Sequence, residues 1–215
     1  MNYIDLRKQM VEEQLKSRGI KDAGVLDAFA QIPREIFVPQ SFNSQAYADS
    51  PIPIGEGQTI SQPYTVAFMT ELLELKGEET VLEVGAGSGY AAAILGKLCK
   101  TVYTVEVLPI LAIKARERLK RLNISNVTVI ISDGGVGLKD KAPFDAITVT
   151  AAAPKIPSAL INQLKIGGRL VVPVGNNVSQ QMIKVVKTEE GAKTENYGTF
   201  RFVPLVGEAG LKKLN

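Results

Sequence analysis

Three short stretches hold residue types that do chemistry, and each stands where an apolar run ends. The first is Glu83-Val84-Gly85-Ala86-Gly87-Ser88-Gly89-Tyr90, directly after the run Thr80–Val84. Without side chains at Gly85, Gly87 and Gly89, backbone amides can approach a ligand, and a helix opening at Tyr90 aims its positive end at negative charge. Tyr90 occupies the place of the third glycine in the dinucleotide fingerprint, which disfavours a pyrophosphate site. Gly96-Lys97 is followed by Leu98, so no phosphate-binding Walker loop forms there. The second stretch ends in Glu106, whose carboxylate can accept hydrogen bonds from both hydroxyls of a ribose. The third is Asp133-Gly134, where a carboxylate can receive an adenine amino group and a glycine leaves room for the ring. An Asp-Gly after a strand is by itself an ordinary turn. Three such positions on successive strand ends describe one nucleoside-type site.

Chemistry at this site runs without imidazole. The chain has no histidine and a single cysteine, Cys99. Disulfides, the usual zinc ligand sets, Ser-His-Asp triads and Cys-His dyads are therefore excluded together, and no metal is expected. The 25 basic and 22 acidic residues, net +3, are scattered, leaving no concentrated footprint for a nucleic acid or an anionic membrane. The longest apolar runs, such as Ala146–Ala153, fall far short of the ~20 residues that span a bilayer. Asp5, Arg7 and Lys8 stand where a signal peptide carries its apolar block, so the expectation is a cytoplasmic protein.

The elements that position these residues follow from periodicity. Ile4, Val11 and Leu15 share a helical face ending at Gly19, and Val25, Leu26 and Phe29 predict a second short helix. From Pro33 to Pro63, five prolines with Gly55 and Gly57 predict a long stretch without regular elements. A helix follows over Pro63–Leu75. Strands at 80–84, 101–106, 126–131, 144–150 and 168–174 then alternate with helices at Tyr90–Leu98, Pro109–Leu122 and near Pro157–Leu164. Their near-continuous aliphatic runs predict an α/β fold with a mostly parallel twisted sheet and helices on both faces. Residues 181–187 and 197–203, around a polar turn at Thr188–Thr194, predict an antiparallel C-terminal edge. We read 1–215 as one domain, with a helical cap and active-site loop over 1–76, a cofactor-binding core over 77–175 and C-terminal strands over 176–215.

Together the three strand ends resemble the Rossmann-like S-adenosylmethionine-dependent methyltransferase fold. Tyr47-Ala48-Asp49-Ser50-Pro51-Ile52-Pro53-Ile54-Gly55, followed by Gly57-Gln58-Thr59-Ile60-Ser61-Gln62-Pro63-Tyr64, resembles the signature of protein-L-isoaspartate O-methyltransferases. The likeness extends through the glycine turn, Asp145-Ala146-Ile147, Ala151-Ala152-Ala153-Pro154, Leu164–Leu170 and Phe202-Val203-Pro204-Leu205, nearly the whole chain. It departs where relatives often carry a histidine soon after the signature, here Thr65 and Val66, and in the Asp133–Gly137 run.

The resemblance implies methylation of the α-carboxylate of L-isoaspartyl residues in damaged proteins and peptides, with S-adenosyl-L-methionine as donor. It implies that Ser61 is the active-site residue and that Gln58, Thr59 and Ile60 lie over the cofactor beside the peptide. Glu83, Gly85, Gly87, Ser88, Gly89, Glu106, Asp133 and Gly134 are the implied cofactor-binding positions. On residue type alone, Ser61 reads as an N-cap for the helix opening near Pro63. The reaction suits a site without histidine: a carboxylate, with an ordinary pKa of ~4, is already ionised and needs no general base. Two alternatives stand beside it: a methyltransferase for a small-molecule carboxylate, and a dinucleotide-linked binding protein or oxidoreductase, which lacks its third glycine and a catalytic histidine. Nucleobase methylation lacks its residues, with Ala151-Ala152-Ala153-Pro154 where an Asp/Asn-Pro-Pro-aromatic run belongs.

Overall fold

The structure is a computed structural model that describes residues 2–211. The N-terminal periodicity becomes one helical rod: α1 (Tyr3–Gln9) continues through a wider turn at Met10–Leu15 and a tighter one at Lys16–Arg18. Gly19 ends the rod with φ 94°, as a glycine C-cap does. Helix α2 (Ala23–Gln31) starts where the Asp22 carboxylate accepts the Val25 amide.

The proline-rich stretch is more regular than its composition suggests. It holds a two-stranded antiparallel hairpin, β1 (Ile52–Gly55) and β2 (Gln58–Ile60). Glu56 and Gly57 turn the chain at φ 53° and 69°, the both-positive geometry of tight hairpins. In so small a ribbon both strands are edges, so Pro53, which cannot donate to a ladder, is tolerated. Ile52, Ile54 and Ile60 bury one face in the core formed with the N-terminal helices and with Tyr90, Ile94, Leu111 and Leu119. Helix α3 (Pro63–Leu72) follows directly and ends three residues earlier than predicted.

The main sheet has seven strands in the order β5 (Val127–Ile131), β4 (Thr101–Glu106), β3 (Thr80–Val84), β6 (Phe144–Val149), β7 (Leu164–Gly175), β8 (Gln180–Thr188) and β9 (Gly191–Phe200). Strands β3 to β7 pair in parallel. Between them run α4 (Tyr90–Leu98), α5 (Pro109–Arg121) and α6 (Ser158–Asn162). The chain builds β3, β4 and β5 outward, then returns to lay β6 on the other side of β3. That reversal opens a crevice at the C-terminal ends of β3, β4 and β6, the place where doubly wound sheets bind ligands.

The C-terminal edge is antiparallel, but its second strand is not where the apolar pattern put it. β8 (Gln180–Thr188) turns tightly into β9 (Gly191–Phe200), and residues 201–206 leave the sheet. Most of β9 is solvent-exposed on both faces, so it carries no apolar alternation and its polar residues read as a turn. Val203 and Leu205 instead bond across to Ala152, beyond the end of β6, which lays the final segment beside the crevice. Among the described residues no helix is long and apolar enough to cross a membrane.

Candidate active site

The glycine turn is held from below by the sheet. The amides of Gly85 and Ala86 donate to the Val105 carbonyl at 2.8 and 3.2 Å, and Gly85 takes φ 99°. A Cβ on Gly85 would lie 2.5 Å from the Thr150 hydroxyl oxygen, so a side chain is excluded on steric as well as conformational grounds. Glu106, nearly buried at the end of β4, accepts the Gly87 amide at 2.7 Å and the Leu108 amide at 3.0 Å. One carboxylate thus fixes both the glycine turn and the entry to α5, with lone pairs remaining for other donors.

Glu83 differs from Glu106 in its surroundings. It is fully buried, accepts the Thr104 hydroxyl at 2.5 Å through Oε2, and leaves Oε1 without a partner. Burial, reinforced by nearby Glu106 and opposed by the Thr104 bond, pushes its carboxyl up to about 8. An unpartnered buried oxygen at the wall of a cavity is costly, and a ligand cation or donor would relieve that cost.

Two cavities and a cleft meet here. The inner cavity is walled by Thr59, Ile60, Ser61, Glu83, Gly85, Gly87 and Ser88. The outer one is walled by Gln58, Thr59, Gly85, Gly87, Glu106, Leu108, Gly134 and the segment Val203–Val206. Thr59 lines both of these and also the cleft of about 1020 Å³ that runs past Ser61, Tyr64, Tyr197 and Arg201. The hairpin roofs the glycine turn: Ile54 reaches within 3.5 Å of where a Gly87 Cβ would be.

Two predicted positions lie outside these walls. Gly89 caps α4, and its missing Cβ makes room for Ala115, which would be 3.1 Å away, so its evident work is packing α4 on α5. Asp133 accepts the amides of Gly135 at 2.8 Å and Glu208 at 2.7 Å, tying the β5 end to the C-terminal segment, while its neighbour Gly134 faces the outer cavity. Ser61 is not a helix cap: Gln62 takes the N-cap position of α3, and Ser61 makes no capping bond. Its side of the loop faces both the inner cavity and the cleft.

Sequence reasoning missed Thr150, which lines both cavities and the cleft and whose hydroxyl donates to the Gly85 carbonyl at 2.6 Å. Its only signal was its place as the last residue of the predicted strand 144–150, which in the structure ends at Val149.

The family model for protein-L-isoaspartate(D-aspartate) O-methyltransferase matches residues 6–210. The chain belongs to this family. A protein-L-isoaspartate O-methyltransferase of Geobacter metallireducens is 54% identical over 211 residues, covering 98% of each chain. One from Methanoculleus marisnigri is 52% identical over 204 residues, covering 95% of this chain and 93% of its own. A crystal structure from Plasmodium falciparum, described as a protein-L-isoaspartate O-methyltransferase in complex with S-adenosyl-L-homocysteine, superposes with a TM-score of 0.81. It is 28% identical, covering 93% of this chain and 97% of its own. The family members' glycine-turn methyltransferase fold is thus the fold of this chain, and the dinucleotide reading falls away.

Proposed function

We propose that Ser61 and the segment before it orient a substrate carboxylate toward a methyl donor held on the glycine turn. The enzyme is an S-adenosylmethionine-dependent methyltransferase that repairs proteins by esterifying the α-carboxylate of L-isoaspartyl residues. The observation that carries the residue roles is the junction at Thr59 and Ser61, where the inner cavity meets the larger cleft.

The walls fit the donor. The glycine turn lines both cavities through Gly85 and Gly87, Glu106 and Gly134 flank the outer cavity, and the unpartnered Glu83 oxygen suits a cationic amino acid moiety. S-adenosylmethionine supplies a methyl group on a cationic sulfur, which a carboxylate oxygen takes while the carbon–sulfur bonding pair stays with the sulfur. No proton moves in that exchange, so none of the residues has to act as acid or base.

What the chain contributes is position and shelter. The Ser61 hydroxyl donates to the carboxylate and turns one oxygen toward the inner cavity, while the hairpin excludes water that would hydrate the anion. The polypeptide around the damaged residue lies in the cleft, whose charged lining residues are Arg201 and Arg18, the latter paired with Asp49; among the described residues no carboxylate lines the wall. The Arg201 cation draws in an anionic residue. A small-molecule carboxylate would need no cleft of this size.

Replacing the hydroxyl tests the assignment. Ser61→Ala should lower turnover on an isoaspartyl peptide well beyond any change in cofactor affinity measured by calorimetry. Equal turnover would remove Ser61 from the reaction.

A further inference from the structure

One buried cation sits behind the active-site loop and is not used by the mechanism above. Arg34 is fully buried, and among the described residues no carboxylate lies within ion-pair distance of it. Asp49, the nearby acid, is committed to Arg18 at 2.8 Å. Burying an uncompensated guanidinium is expensive, and an apolar side chain would fill the same space without that cost.

Its contacts explain what it does there. Nε donates to the Ala46 carbonyl and Nη2 to the Ser61 carbonyl, each at 2.8 Å. These two carbonyls belong to the residues immediately before and after the segment 47–60, which contains the whole hairpin. A single planar guanidinium therefore closes the base of the loop that roofs the donor site. The same group lies 4.8 Å from the centre of the Tyr90 ring, and Tyr90 is the first residue of α4 after the glycine turn. Arg34 thus ties the base of the loop to the element that carries the donor cradle. A lysine has one ammonium and no fork, so it cannot hold both carbonyls in the same plane.

We propose that Arg34 is a positioning residue for methyl transfer, which fixes the Ser61 backbone against the glycine turn so that the hydroxyl meets the carboxylate in line. This rests on the assignment of Ser61 above. Its effect passes through Ser61, so removing the hydroxyl should remove most of the benefit of holding it.

The test is a double-mutant cycle of Arg34→Lys and Ser61→Ala, read as kcat and KM on an isoaspartyl peptide, with cofactor Kd from calorimetry. In the otherwise native enzyme, Arg34→Lys should lower kcat at least ~10-fold, within the ~10²-fold that a 1 Å misplacement can cost. Cofactor Kd should move less than about threefold. With Ser61→Ala already present, the same change should cost less than about twofold. Equal losses in both backgrounds, no loss in either, or a parallel collapse of cofactor affinity would overturn the proposal. If Arg34→Lys does not fold, Arg34→Gln takes its place in the cycle, because its amide can still reach one carbonyl. A fully active Ser61→Ala enzyme would instead remove Ser61 itself, whatever Arg34 does.

Discussion

Replacing Glu83 by glutamine should leave the ligand-free protein unchanged below about pH 4.5 and make it progressively more stable as pH rises toward 8. Burial holds this carboxyl at about 8 against an ordinary 4.5, so the folded chain keeps a proton that the unfolded chain releases. A raised folded pKa fixes the sign: the stabilisation is complete below about pH 4.5, erodes across the interval, and is gone above about pH 8. At about 1.36 kcal/mol per unit, the interval corresponds to at most about 5 kcal/mol. Glutamine has nearly the same volume, still accepts from Thr104 and has no proton to lose. Thermal unfolding of both proteins without ligand, from pH 5 to 8.5, reads the difference in slope. The variant should gain ~2–4 kcal/mol by pH 8.5, and each kcal/mol moves the midpoint by ~2–4 °C in a chain of this size. Ligand binding should show the opposite preference. A cationic donor favours ionised Glu83, so native affinity for S-adenosylmethionine should rise across the same pH interval, and the variant's should be lower and flat. Parallel stability curves for the two proteins would refute a proton held at Glu83.

Other positions give sharper local outcomes. Glu106→Ala removes the acceptor shared by Gly87 and Leu108 and should weaken S-adenosylmethionine binding by ~1–3 kcal/mol in calorimetry; unchanged affinity would end its assigned role. Gly85→Ala forces a Cβ to 2.5 Å from the Thr150 hydroxyl at φ 99°, and should cost at least ~1–3 kcal/mol in urea unfolding; a neutral change would mean the turn is not held as described. Cys99 is buried, and desolvation pushes its thiol up to about 12, so a thiol reagent at pH 8 should label it only on unfolding; rapid labelling of the native protein would contradict its burial.

Much of this architecture was legible because buried parallel strands announce themselves. Thr80–Val84 and Thr101–Glu106 lie between helices and are rich in β-branched and aliphatic residues, so their limits in the sequence are their limits in the fold. β9 was misplaced for the opposite reason: it is the outermost strand, mostly exposed on both faces, and before Tyr197 its residues carry no apolar alternation. The β1–β2 hairpin was hidden by its own prolines and by a turn that uses a left-handed Glu56 where Asn or Gly is the usual signal. At the site, the glycines and the strand-end acids Glu83 and Glu106 were visible because type and place coincide. Thr150 and Arg34 were not, since each works through backbone carbonyls that only the folded chain brings near: Gly85 for one, Ala46 and Ser61 for the other. Burial of an arginine leaves no trace in its neighbours' sequence.

The activity itself is tested most directly with labelled S-adenosylmethionine and two peptides identical except for one L-isoaspartyl or normal L-aspartyl residue, followed by alkaline release of volatile methanol. Label should pass to the isoaspartyl peptide and return as methanol, which reports donor, acceptor and ester together. Equal labelling of both peptides, or of neither while the cofactor still binds, would contradict carboxyl methylation selective for isoaspartate.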